Sequence, residues 1–207
     1  NYRDLLGPAF RSVVCQDADQ FPADALFRKK PRRKDVLRAF TMPDGLAEIP
    51  RAIASQPGFK LRYGAEVQSV EADGPLYQLG LGDGTSLSCE RLTLAVPPDV
   101  AHPLLRQVQP DAAAAIQGIG VAEIDSLVLV FERSQLSVDE IAGLISVDGA
   151  FLSAVSRDFL PDDRYRGFAF HFPAGDLSEA ERVQSACQAI DADPATSAAE
   201  SLALFGL

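Results

Sequence analysis

An Asp-Gly pair set between alternating apolar residues is the strongest short-range signal for a β-hairpin. Residues 40–98 carry two such pairs, Asp73-Gly74 and Asp83-Gly84. The stretch reads FTMPDGLAEIPRAIASQPGFKLRYGAEVQSVEADGPLYQLGLGDGTSLSCERLTLAVPP. A turn at Pro43-Asp44-Gly45 leads into a helix, and Gly58 breaks that helix after Pro57. A short strand is expected over residues 60–62, followed by strands over 65–71, 76–81 and 86–96. Val67 and Val70 mark the pattern of the first of these three, Leu76 and Leu79 that of the second. The last changes character at Leu92-Thr93-Leu94-Ala95-Val96, apolar except for one threonine. Such a run predicts a strand buried on both faces, as in a parallel sheet covered by helices. Pro97-Pro98 ends it, because neither proline can donate to a ladder.

A meander that ends in one buried strand makes sense as an excursion from a doubly wound nucleotide-binding sheet. The run P-x-G-L, a helix, K-L-R-x-G-A-E-V-x-x-V, D-G, D-G-T and R-L-T-L-A-V-P-P resembles, in order and spacing, the flavin amine oxidase superfamily. That superfamily also holds protoporphyrinogen oxidases and phytoene-desaturase-like enzymes. The resemblance covers residues 40–98 and extends more weakly to 133. It implies FAD as cofactor and hydride transfer from a C–N or C–C bond of a small organic substrate to the flavin. It also implies a discontinuous flavin domain. The middle part of that domain is residues 45–108, and residues 1–44 and 109–207 belong to the substrate domain. The fold class expected is α+β: a fragment of an α/β FAD-binding domain with an antiparallel meander, plus a substrate domain with an antiparallel sheet and helices.

Three cofactor-binding positions carry over from the resemblance. Val67 stands where the family's V-x-x-[VI] pattern contacts adenine through a backbone N–H and C=O, with Val70 completing the pattern. Its residue type is equally compatible with an ordinary strand core position. Ala95 and Pro97 lie in the segment resembling A-[IV]-P-P, where the small Ala95 would let the strand pack close to a dinucleotide. Asp44 departs from the pattern, standing where the family commonly has a glycine.

The family's other two FAD motifs have no counterpart. Gly80, Gly82 and Gly84 alternate within a hairpin, Gly118 and Gly120 lack a third partner, and no G-x-G-x-x-G opens a helix after a strand. The resemblance therefore implies an internal fragment, with FAD held by a longer parent and not by this chain alone. Its partners would be the missing flavin-domain segments and the substrate. The chain begins with Asn1 rather than methionine, which suits a start within a protein or after processing. The rival reading is a stand-alone binding or interaction domain without cofactor, and the sequence upstream of Asn1 discriminates the two.

Composition narrows the classes. A net charge of -10 argues against nucleic acid as partner. With 47% hydrophobic residues the chain can bury a real core, but no run approaches the ~18 to 20 apolar residues of a membrane span. Cys15, Cys89 and Cys187 form no metal motif and no disulfide framework, which fits a reducing cytoplasm and buried small apolar roles. Residues 28–34 form the one dense basic cluster. They read as an anionic membrane or ligand contact, or as a solvated loop; Pro31 and the lack of periodicity favour the loop.

Elsewhere, helical spacing predicts helices over 2–14, 22–27, 100–107, 111–117, 138–144, 178–190 and 194–204. Strands are expected over 123–133 and 167–172, and a third Asp-Gly hairpin should join 145–147 to 151–156. His102 and His171 are acid–base residue types without a partner pattern, and no Ser-His-Asp, P-loop or zinc motif occurs. No pattern designates a catalytic side chain. Phe168, Phe170, Phe172 and His171 share one strand and should divide between its two faces, with Phe151 and residues 153–157 as further cavity candidates. The aromatic content of this half suits an apolar cavity for an isoprenoid or porphyrinogen-like substrate better than for a small amine.

Overall fold

The N-terminal segment is helical, and its pitch changes at Gly7-Pro8. A π turn over Tyr2–Leu6 runs into α1 (Gly7–Val14), and the change falls where proline lacks the N–H that the preceding turn needs. The computed structural model describes residues 2–28, 33–36, 42, 45–157, 162–175 and 177–206. Helix α2 (Ala23–Phe27) opens after Pro22 as expected. Of the basic cluster, Arg28, Arg33 and Lys34 are exposed and irregular, and Arg33 pairs with the equally exposed Asp35. Residues 29–32, and the expected turn residues Pro43 and Asp44, lie outside the described residues.

Contacts divide the chain into two units: Asn1–Ala25 with Ile119–Leu207, and Leu26–Gly118. The meander unit so drawn is wider than the span 45–108 that the resemblance implies for the middle of the flavin domain.

In the meander unit, α3 (Glu48–Ala54) is followed by Gly58 in a left-handed conformation (φ 96°). Residues 60–62 do not form the expected strand. Arg62 instead braces the next turn, donating to Asp83 (2.7 Å) and to the Thr85 hydroxyl (3.0 Å). Strands β1 (Val67–Asp73), β2 (Leu76–Leu81) and β3 (Ser86–Cys89) form an antiparallel sheet in that order. Asp73 pairs with Leu76, so the central turn residues are Gly74 and Pro75. Gly74 has φ 58°, and proline cannot follow it with a second positive φ; the turn therefore has the II′ pattern. Val70 and Leu81 are buried, and helices α4 (Pro98–Leu105) and α5 (Pro110–Gln117) bury Ala101, Leu104 and Ala113.

The expected buried strand over residues 92–96 is not formed. The segment carries no ladder; Ala95 is exposed and Val96 is 43% exposed. A strand exists only where another backbone accepts and donates its hydrogen bonds, and no described residue does so here. An apolar run supplies the side chains for a buried strand but not its partner.

The second unit holds a five-stranded antiparallel sheet: β4 (Ala122–Glu132), β5 (Gly143–Ile145), β6 (Ser153–Ser156), β7 (Tyr165–Pro173) and β8 (Ala198–Gly206), in the order β5-β6-β7-β4-β8. Alternation along β4 and β7 places Leu127, Leu129, Phe131, Phe168, Phe170 and Phe172 on one face, all at most 1% exposed. Helix α6 (Glu179–Ala189) covers that face with Ala186 and Cys187, and Phe151 packs edge-on to Phe170 at 5.2 Å. Each buried ring contributes roughly 1.5–3 kcal/mol by removal from water. Cys187 thus has the buried apolar role expected of it, whereas Cys15 and Cys89 are half-buried.

Two helices expected from the sequence are absent. Residues 138–142 form a loop, because the buried Arg166 takes its carbonyls: the guanidinium donates to Val138 O (2.6 Å) and Asp139 O (3.1 Å). A helix would keep those carbonyls for itself. After a short 3₁₀ turn at Pro194–Thr196, residues 198–206 pair with β4 from Ala198↔Val130 to Gly206↔Ala122. The free side of β4 needs a hydrogen-bonding partner, and that demand outweighs the helical propensity of an Ala-, Leu- and Glu-rich segment. The expected cap of α6 is present: Ser178 accepts from the Glu181 N–H (3.3 Å), and Glu181 accepts from the Ser178 N–H (2.8 Å).

A Cβ at Gly143 would stand 2.5 Å from the Ala154 carbonyl oxygen, a backbone atom that cannot rotate away. Gly143→Ala should therefore cost about 1–3 kcal/mol by urea denaturation; an unchanged midpoint would mean that β5 does not approach β6 this closely. Ser178→Ala removes one side of the capping box and should cost about 1 kcal/mol by the same measurement.

Candidate functional site

Two places carry groups arranged for binding, one in each unit. The first is the edge of β1 that no other described strand pairs with. Gly82 N–H donates to Glu66 O (2.9 Å), while Leu81 N–H donates to Thr85 O (2.9 Å), away from β1. Val67 is opposite Leu81, and strand alternation turns its own N–H and C=O outward from the edge of the sheet. The register then slips at Gln68, between Val67↔Leu81 and Ser69↔Gly80. The Val67 side chain is half-buried. Its two sequence readings thus fall to different atoms: the side chain packs, and the backbone is on offer.

A donor and an acceptor side by side on an open strand edge fit an adenine ring edge. A pyrophosphate cradle has no counterpart, since no G-x-G-x-x-G turn opens a helix in this chain. Ala95 lies on the unladdered segment, and Pro97 is half-buried in extended conformation (φ -57°, ψ 156°) where α4 begins. Among the described residues no hydrogen bond joins either of them to Val67.

The second place is the face of the five-stranded sheet opposite α6. The three phenylalanines of β7 all point to the core, so His171 is on the other face. Register aligns Ser126, His171 and Ser153 in one row across β4, β7 and β6. The Ser126 hydroxyl lies 2.8 Å from His171 Nδ1, and Ser126 is buried while His171 is half-buried. Burial pushes the imidazole pKa below its ordinary value and favours the neutral ring. The next row is Val128, Ala169 and Val155. Sequence alternation could locate His171, but nothing marked Ser126, whose partner is set by strand register 45 residues away.

A cavity of about 540 Å³ lies beside α1, lined by Tyr2, Arg11, Cys15, Asp148, Phe151 and Leu152 among others. Its polar groups largely satisfy one another: the Tyr2 hydroxyl donates to Asp19 (2.7 Å) and Ser146 to Asp148 (2.6 Å). The Tyr2 hydrogen bond raises the phenol pKa, and burial pushes the Cys15 thiol up, away from the reactive thiolate. His102 lies in α4, its carbonyl accepting from Arg106. Among the described residues no group of three His, Cys, Asp or Glu side chains could hold a metal ion, and no helix is long and apolar enough to cross a membrane.

Comparison with known proteins takes in both units. No curated protein matches the chain. Among solved structures it is similar to a protein assigned as protoporphyrinogen oxidase from Exiguobacterium sp. 255-15, at 14% identity and a TM-score of 0.61, over 79% of this chain and 40% of that one. It is also similar to a triple mutant of putrescine oxidase redesigned in cofactor binding, at 15% identity and a TM-score of 0.57, over 75% of this chain and 38% of the other. The chain thus spans about two fifths of the length of these structures, and the likeness is one of fold. The sequence profile of flavin-containing amine oxidoreductases matches residues 12–189, and on that match the chain belongs to this family.

Proposed function

We propose that this chain is an internal part of an FAD-dependent oxidoreductase that oxidises a C–N or C–C bond of an organic substrate. The observation that carries the reading is the continuity of the family match, which runs through the β1 edge and strands β4 to β7 alike. When bound, the flavin accepts the hydride. The chain's own contribution is binding. The Val67 N–H and C=O would receive the adenine, and the face bearing His171 would hold the substrate. Val130, Ile145 and Val155 on that face are 36%, 48% and 43% exposed, which supports an apolar substrate, isoprenoid or porphyrinogen-like, over a small amine. Three free thiols support a reducing cytoplasm. Arg28, Arg33 and Lys34 are where an anionic membrane surface would be met.

Two outcomes test the reading. Titrated with FAD, the 207-residue chain alone should give no stoichiometric complex at micromolar concentration. Two backbone hydrogen bonds at ~0.5–1.5 kcal/mol each do not offset the ~4–15 kcal/mol cost of association. A yellow stoichiometric complex would mean that the chain holds a whole nucleotide site. In the longer protein that the reading requires, purification should yield bound flavin that an organic substrate bleaches anaerobically. There Val67→Pro should lower FAD affinity by up to about tenfold, the worth of one hydrogen bond. It should leave the meander folded, because the lost N–H faces the free edge. A colourless longer protein, or a Val67→Pro variant with undiminished affinity, would overturn the assignment.

A further inference from the structure

Polar atoms in the row Ser126, His171 and Ser153 can be accounted for one by one. Ser126 is 5% exposed, and its hydroxyl has a single partner among the described residues, His171 Nδ1 at 2.8 Å. A buried hydroxyl needs an acceptor for its proton, so Ser126 donates and Nδ1 accepts. The proton of the neutral ring then resides on Nε2. That N–H has no partner among the described residues, and no buried side-chain nitrogen or oxygen is left without one, so Nε2 reaches the surface. The same reasoning brings the Ser153 hydroxyl to the surface beside it, directly cross-strand at about 5 Å between Cβ atoms.

The described side chains around the row are apolar apart from one cation, and register places Glu200 of β8 in the next row, beyond Val128. Val128, Ala169 and Val155 form the neighbouring row, and Ile145 flanks Ser153. Two rows along, the Arg157 side chain crosses the same face: a Cβ on Gly167 would lie 3.3 Å from Arg157 Cγ. Among the described residues Arg157 has no ion pair. An outward N–H and a hydroxyl, with a cationic side chain two rows along the same face, select an acceptor that carries negative charge. The chain's net charge of -10 disfavours a second copy of itself as the occupant.

We propose that this row is a ligand-orienting site for the carboxylate of an otherwise apolar small molecule, with the His171 Nε2–H and Ser153 hydroxyl as donors and Ser126 as the residue that sets the histidine tautomer. That the ligand is the molecule oxidised rests on the function proposed above; the recognition chemistry does not.

The test uses the 207-residue chain without flavin, so its failure is distinct from failure of the FAD assignment. Nitrogen-15 NMR of the imidazole should show the Nε2–H tautomer in the native chain and loss of that preference in Ser126→Ala. Decanoate should shift the His171 and Ser153 signals saturably, while decylamine should not. His171→Asn should weaken decanoate about tenfold, as expected for one hydrogen bond to a charged group. His171→Gln should retain binding, because its amide nitrogen stands close to the position of Nε2. Matching thermal midpoints for the two variants separate lost binding from lost folding. An Nδ1–H tautomer, equal binding of decylamine, equal behaviour of the Asn and Gln variants, or a dimer in sedimentation that decanoate does not disturb would each overturn the proposal.

Discussion

Pairing of β7 with β4 is the interaction on which the larger unit depends. Nine consecutive cross-strand pairs, from Ile124↔Pro173 to Glu132↔Tyr165, hold the two strands in one register. Because side chains alternate, that single register decides both faces at once. It brings Leu127 against Phe170 and Leu129 against Phe168, forming the layer that α6 covers. It also brings Ser126 to His171 on the opposite face. A slip of one residue would expose three phenylalanines and bury an imidazole, so the aromatic core enforces the geometry of the polar row. Here the candidate binding surface is a consequence of packing stability.

Arg166 shows how the same sheet organises its surroundings. It is 4% exposed, its guanidinium lies over the Phe168 ring at 5.3 Å, and it takes the carbonyls of Val138 and Asp139. A buried cation needs such oxygens, since leaving it unpaired costs several kcal/mol, on the order of the whole stability of a small domain. The loop over 138–142 is held open by this demand. At the opposite end of the strands, Asp125 pairs with Arg182 of α6, tying the helix to the sheet by charge where the phenylalanine layer ends.

The meander unit shows a different division of labour. The binding role proposed for it falls to backbone atoms of Val67, and among the described residues these have no partner because β1 is an edge strand. Side-chain type leaves such a contact unmarked, which is why Val67 is equally compatible with a core role and a ligand role. The order of turns, helix and valine pattern carries the family signal, and the family profile follows that order through most of the chain.

Local signals determined what local physics controls. The Asp-Gly turns at Gly74 and Gly84, each with positive φ, the cap at Ser178 and Glu181, and the alternation of residues 167–172 were all legible, because each depends on neighbours a few residues away. The third Asp-Gly pair, expected to join 145–147 to 151–156, instead lies within a longer loop between β5 and β6. The α+β class and the family followed from their order. Tertiary structure alone decided three segments: 194–204 became a 3₁₀ turn and an extended partner of β4, 138–142 a loop around Arg166, and 92–96 an irregular run without a ladder partner among the described residues. It also decided the Ser126–His171 contact. In each case the deciding partner is a backbone or side-chain group distant in sequence. Hydrogen bonding requires that partner to be in place before a segment's own propensity or apolarity counts.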